Sequence, residues 1–209
     1  FYLDIFPRKG KYTHAACFPL QPGHTNAQGR RVHPATAIVA NFSKPLPSKP
    51  SLLKHDEVET LFHELGHSLH DLCSVTRYSY FHGFNTERDY LEAPSQLLEN
   101  WVWDQASLQR LSKHYVHGTP MPTALIEQLL ASRRVSAVAS YLRQIFLALF
   151  DLHIHSILSE DGLGESISEL YARLRAEVTL IKQPPNVHPA ATFVHMMAGY
   201  DVGYYGYLW

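Results

Sequence analysis

The sequence is poor in features that would tie a chain to a disulfide scaffold, a polyanion or a lipid bilayer. It holds two cysteines in 209 residues, Cys17 and Cys73, too few for a disulfide framework and without the spacing of a cysteine metal site. That usage fits a reducing compartment. Charge of one sign is equally scarce. Eighteen Lys and Arg against 19 Asp and Glu leave a formal net charge of -1, with no basic or acidic block, so neither nucleic acid nor an anionic membrane is favoured as a partner. There is no internal repeat and no low-complexity tract. The first residues, Phe1 to Phe6, lack an initiator methionine and the charged and apolar pattern of a signal peptide. The most apolar helical stretch, Tyr141 to Leu158, is interrupted by Arg143, Gln144, Asp151, His153 and His155, which predicts a buried helix and not a membrane span.

With 45% hydrophobic and 18% charged residues, the chain has an ordinary globular composition and enough length for one sizeable core or two small ones. Residues 1–43 carry strand-like runs at Phe1 to Phe6, His14 to Leu20 and Ala35 to Phe42, separated by turn residues, and predict a small sheet. Lys44 to Pro50, with three prolines, is read as an extended connector. From about Lys54 to Cys73 the residues Val58, Leu61, Phe62, Leu65, Leu69 and Leu72 recur at helical spacing and predict an amphipathic helix. Thr86 and Asp89 resemble a capping box opening a helix to about Gln105, kinked or begun at Pro94. Thr123 to about Leu158 reads as one long helix or two shorter ones, and Glu165 to Leu180 as another with Ile167, Leu170, Leu174 and Val178 on its core side. The fold class is therefore mainly α with a small N-terminal β-sheet. Both termini look cut from a longer protein.

Fourteen histidines are many for this length, and one pair is organised. In His63-Glu64-Leu65-Gly66-His67 the two histidines are four apart, so on a helix they lie on one face about 6 Å apart along the axis and can reach one zinc ion. Glu64 lies beside them, where it can take a proton from water activated by that ion. The histidines fall opposite the apolar stripe, on what an ordinary amphipathic helix turns to solvent. A catalytic zinc takes three protein ligands and keeps a position open, so one more ligand is needed. His70 stands about 10 Å along the axis from His63, too far to converge. The metzincin pattern needs glycine at 70 and histidine at 73, where this chain has His70 and Cys73. A carboxylate on the following helix remains. By spacing Glu92 is as good a choice as Glu87, Asp89 or Glu99, and Glu99, one heptad on, could instead hold a ligating histidine.

Three stretches, residues 55–67, residues 87–101 and the ending from Gly199-Tyr200-Asp201 to Tyr204-Tyr205-Gly206-Tyr207-Leu208-Trp209, resemble the thimet oligopeptidase, neurolysin and saccharolysin family. The likeness extends through Phe1 to Gly23 and covers almost the whole chain. It implies a zincin-like (gluzincin) catalytic domain of a zinc metalloendopeptidase, residues 1–209, with a sheet region at 1–43 and a helical region with the metal at 51–209. It implies His63, His67 and Glu92 as ligands of one Zn2+, Glu64 as general base, Tyr204, Tyr207 and His195 as catalytic donors, and Tyr200 and Gly199 as substrate contacts in a flexible loop at residues 198–206. Short peptides would be the substrates. Neither nucleic acid nor membrane is expected, and the full-length form is expected to be a cytoplasmic monomer, with a mitochondrial location the alternative. One departure is Ala198 before Gly199, where many relatives carry two glycines, which restricts the loop. The family's thiol sensitivity is not carried over to Cys17 and Cys73. A peptide-binding module with structural zinc or none, and an aminopeptidase, are the competing readings. The first would lack a base or add a fourth ligand, and the second would need an acidic cluster to hold a free amino terminus.

Overall fold

The β-branched and aromatic runs near the N-terminus pair as expected, but over shorter spans. In the computed structural model, which describes residues 1–156 and 164–209, Tyr2–Asp4 (β1), Ala16–Gln21 (β2) and Ala35–Val39 (β5) form a sheet in the order β1-β5-β2. The β1–β5 pair is parallel and the β2–β5 pair antiparallel. Central β5 and the residues after it bury Thr36, Ile38, Ala40 and Phe42, the alternate positions that a period of two sends to one face. Lys11 pins the ends of β1 and β5 together. Its ammonium donates to the carbonyls of Asp4 and Phe6 at 2.7 Å and of Ala40 at 2.5 Å. A second pairing, His24–Thr25 (β3) with Arg31–Val32 (β4), falls where the sequence reads only turn. A long-range contact holds it: the Arg31 guanidinium donates to the carbonyls of Ser74 and Thr76, both at 2.6 Å.

Helix α1 spans His55–Cys73, opened by the backbone N–H of Lys54 donating to Glu57 at 2.7 Å. Its orientation corrects the expectation from its pattern. The buried residues are Glu64, Gly66, His67, Ser68 and Asp71, while Leu69 of the apolar stripe is 47% exposed. Two neighbours cover the polar face. Cys17 of β2 places its sulfur 3.1 Å from both Ser68 Oγ and Thr36 Oγ1, which joins helix to sheet. On the other flank α3 approaches so closely that a Cβ on Gly66 would lie 2.5 Å from the carbonyl oxygen of Pro94 and from Cα of Ser95.

The helix expected from Thr86 to Gln105 is broken. It becomes α2 (Arg88–Leu91), α3 (Ala93–Glu99), a 3-10 turn at Asn100–Trp103, and α4 (Gln105–Leu111), with Glu92 at the joint between α2 and α3. Pro94 occupies the first turn of α3, where a missing N–H leaves no bond unmade. Asp104 caps α4, accepting from the Ser107 N–H at 2.9 Å. Helix α5 is one helix, Thr123–His155, and α6 spans Ile167–Thr179 behind the Ser166–Glu169 capping box. The expected α5 end at Leu158 lies outside the described residues. About half the chain is helical.

Two compact units result, Phe1–Glu87 with Leu91–Ala131, and Arg88–Tyr90 with Ser132–Trp209. In the second, Phe146, Leu147, Phe150, Leu170, Leu174 and Tyr204 form the core. Ile167, expected in it, is 50% exposed. Among the described residues α5 is the helix long and apolar enough to cross a membrane by length and composition. It is buried on one face and not throughout: Tyr141, Ile145, Leu149 and Leu152 are exposed.

Gly66→Ala tests the α1–α3 approach. Alanine improves helix propensity by about 1 kcal/mol, but its Cβ meets backbone that cannot swing aside, which costs about 1–3 kcal/mol or more. A net fall in the urea midpoint is expected; an unchanged or higher midpoint would show slack between the helices.

Candidate metal centre

Helix α1 presents His63 and His67 one turn apart, with ring centroids 4.9 Å apart. The break before α3 turns Glu92 towards them. Glu92 Oε2 lies 3.3 Å from His63 Nε2 and 3.2 Å from His67 Nε2. Two ligand atoms about 2.05 Å from one tetrahedral ion are about 3.3 Å apart, so these separations are those of neighbouring corners of a zinc coordination shell. The donor atoms of His63, His67 and Glu92 all lie within 4.8 Å of one another, and this is the group of three metal-type side chains found among the described residues. His70 stands outside it.

Two of the three side chains, His63 and Glu92, are hydrogen-bonded from behind. Glu99 Oε1 accepts from His63 Nδ1 at 2.7 Å, which leaves Nε2 as the metal-facing nitrogen. The Ser95 hydroxyl, fully buried, lies 2.9 Å from Glu92 Oε2 and 2.8 Å from the Glu92 carbonyl oxygen and shares its one proton between them. The ring of Phe84 stands edge-on to His67 at 5.6 Å. Of the four acidic residues that spacing left open, the structure thus brings Glu92 to the histidines directly and Glu99 behind His63.

The centre is rich in negative charge. Burial disfavours a charged His63, yet the carboxylates of Glu92, Glu99 and Glu64 outweigh it and push the imidazole up to about 10. Glu64, 7% exposed, has its carboxyl pushed up by burial, with His63 and His67 opposing. The backbone N–H of Cys17 also bonds it, so the edge strand β2 holds Glu64 beside the two histidines. The donor set of two imidazoles and one carboxylate, His63, His67 and Glu92, suits a divalent cation such as zinc, and Glu64 is not part of that group.

The second unit holds the other expected residues. His195 sits in the 3-10 turn Val194–Met197, and its ring lies 5.6 Å from Tyr200, 5.3 Å from Tyr204 and 5.8 Å from Tyr207. Tyr200 and Tyr207 stack at 5.2 Å, and the Arg88 guanidinium covers Tyr200 at 5.5 Å. Gly199 has φ +84, a conformation that suits glycine. Tyr204 is 4% exposed, lies in the core cluster, and its hydroxyl donates to Gln144 Oε1 at 2.8 Å. Tyr205 donates to Asp89 Oδ2 at 3.0 Å. Sequence reasoning missed Ser95, Cys17 and Asp151, whose carboxylate accepts from backbone amides of the tyrosine turn. The one signal for Asp151 was a carboxylate inside an apolar helix, four residues before His155.

The family model described as peptidase family M3 matches residues 1–209. A thimet-like oligopeptidase of Dictyostelium discoideum is 44% identical over 211 residues, covering 100% of this chain and 31% of that protein. Saccharolysin of Saccharomyces cerevisiae is 42% identical, covering 100% of this chain and 29% of its own length. A mitochondrial intermediate peptidase of Arabidopsis thaliana is 36% identical with the same coverages, 100% and 29%. The chain thus spans about a third or less of the length of the curated relatives it matches.

Glu99→Gln keeps the shape of the side chain but weakens its hold on the His63 Nδ1–H. Zinc affinity, measured by competition with a chromophoric chelator, is expected to fall about 10- to 100-fold. An affinity within twofold of the parent would leave Glu99 without a part in the centre.

Proposed function

This chain belongs to peptidase family M3, and from that membership and the centre described above we propose that the protein hydrolyses short peptides at a zinc site made by His63, His67 and Glu92, with Glu64 as general base. Residues 1–209 are on this reading part of a zincin-like (gluzincin) catalytic domain. The observation that supports it most is the meeting of three ligand-type atoms within 4.8 Å of one another, with Glu92 at 3.3 and 3.2 Å from the two histidines, next to a buried carboxylate that is not one of them. A structural zinc would be closed by a fourth protein ligand, and among the described residues no fourth metal-type side chain joins the group.

Zinc bound there would supply Lewis-acid polarisation of the scissile carbonyl and lower the pKa of water towards neutrality. The chain's own residues do the rest. Glu64 takes the proton of the attacking water and passes it to the leaving amine. Burial favours the protonated carboxyl that the second half of that transfer needs. Glu99 and Ser95 keep the first and third ligands in place. Tyr207, with His195 beside it, donates hydrogen bonds to the carbonyl oxygen as charge develops, and Tyr200 and Gly199 contact the substrate; these roles rest on the family resemblance. The protein is proposed to act as a monomer in the cytoplasm, with the mitochondrion the alternative that the name of the Arabidopsis relative raises.

In the full-length protein, Glu64→Gln is expected to retain one zinc per chain and to lose turnover of a fluorogenic peptide by at least about 1000-fold; near-parental activity would remove Glu64 as the base. Tyr207→Phe is expected to lower kcat by about 100- to 1000-fold with little change in KM. A raised KM at constant kcat would make Tyr207 a binding contact instead.

A further inference from the structure

Asp151 is fully buried near the C-terminal end of α5. A carboxylate taken out of water must be met by donors, and here they come from two elements. The N–H of Val202 donates to Oδ1 at 2.9 Å and the N–H of Tyr204 to Oδ2 at 3.0 Å. Nδ1 of His155, one turn further along α5, lies 2.8 Å from Oδ1 and 2.9 Å from the Asp151 carbonyl, both acceptors, so it is the donor. A single side chain therefore grips two backbone amides two residues apart.

What lies in the grip is strained. Val202 has φ +64, and a β-branched residue in the left-handed region costs about 1–3 kcal/mol and persists only where its surroundings enforce it. The turn is further closed by Gly203 N–H donating to the Tyr200 carbonyl at 3.0 Å. Directly after it, Tyr204–Tyr207 is one 3-10 turn, so fixing the amide of Tyr204 fixes the direction in which Tyr207 leaves the backbone. Tyr200 precedes the strained residue by two, Tyr207 follows it by five, and their rings stack.

We propose that Asp151 is a positioning residue. By clamping Val202 and Tyr204 it holds the turn in the one strained conformation that brings Tyr200 and Tyr207 together beside His195. The catalytic part of this inference rests on the reading of Tyr207 as a hydrogen-bond donor in peptide hydrolysis; the clamp itself does not. It also confines the freedom of the loop at residues 198–206 to its first half, since Val202 and Tyr204 are tied to α5 and Tyr205 to Asp89.

Asp151→Asn in the full-length protein tests it. The amide can accept through its oxygen alone and turns an NH2 towards a backbone N–H, so one of the two backbone bonds is lost. The expected result is faster hydrogen–deuterium exchange in the segment 200–207, by tenfold or more, with exchange across α6 and zinc content as in the parent. Peptide turnover is expected to fall about 10- to 100-fold in kcat with KM within about threefold. Asp151→Asn combined with Val202→Gly guards against loss of fold, because glycine takes the positive φ without penalty. In the double variant stability returns towards the parent while kcat stays low and segment 200–207 still exchanges quickly. Recovery of kcat together with stability would show that Asp151 only supports the fold, and parental exchange of 200–207 in either variant overturns the clamp. If the parent protein hydrolyses no peptide, the peptidase reading fails, and the exchange measurement still decides whether Asp151 holds the turn.

Discussion

The candidate metal centre depends on a side chain that is missing. Gly66 lies between the two histidines of α1, and the absence of a Cβ there lets the first turn of α3 lie against the helix backbone. That approach sets how far Glu92 stands from His63 and His67 and puts Ser95 behind the Glu92 carboxylate. It also lets Glu99, two turns along α3, reach the far nitrogen of His63. A wider gap between the helices would break all of these contacts together.

Bringing Glu64, Glu92 and Glu99 to two imidazoles is electrostatically one-sided. Each carboxylate is drawn partly or wholly out of water, where like charges repel more strongly. The rise at His63 follows from it, since the carboxylates outweigh the effect of burial there. Burial, the larger cause, raises the Glu64 carboxyl against the opposing pull of the two histidines.

Much of this was legible in the sequence, and what escaped has physical reasons. The HELGH spacing is geometry internal to one helix, so His63, His67 and Glu64 could be read directly. The carboxylate that joins the two histidines could not, because Glu92 occupies a joint between two helices and no single period runs through it. The expected 86–105 helix failed for the same reason. The strands were found but overextended at their ends, since β-propensity does not say where a partner stops. The β3–β4 pairing was missed because the Arg31 contacts that hold it are more than 40 residues away. Tyr204 and Asp151 show a subtler limit. Both were noted as residues, but burial and the partner of each polar group decide their roles, and neither Gln144 nor the Val202 amide can be assigned as a partner from spacing.

Helix α1 bears on any attempt to move this chemistry elsewhere. Its apolar stripe would normally tell a helix which way to face, and here Leu69 of that stripe is exposed and the rest only partly buried while Glu64, His67, Ser68 and Asp71 point inward. The helix does not encode its own orientation; α3 and the edge of the sheet impose it. Transplanted alone into another scaffold and seated by its leucines, the same nineteen residues would turn over and present both imidazoles to solvent. The smallest portable unit is therefore not the motif but the motif with β2, β5 and α3 around it.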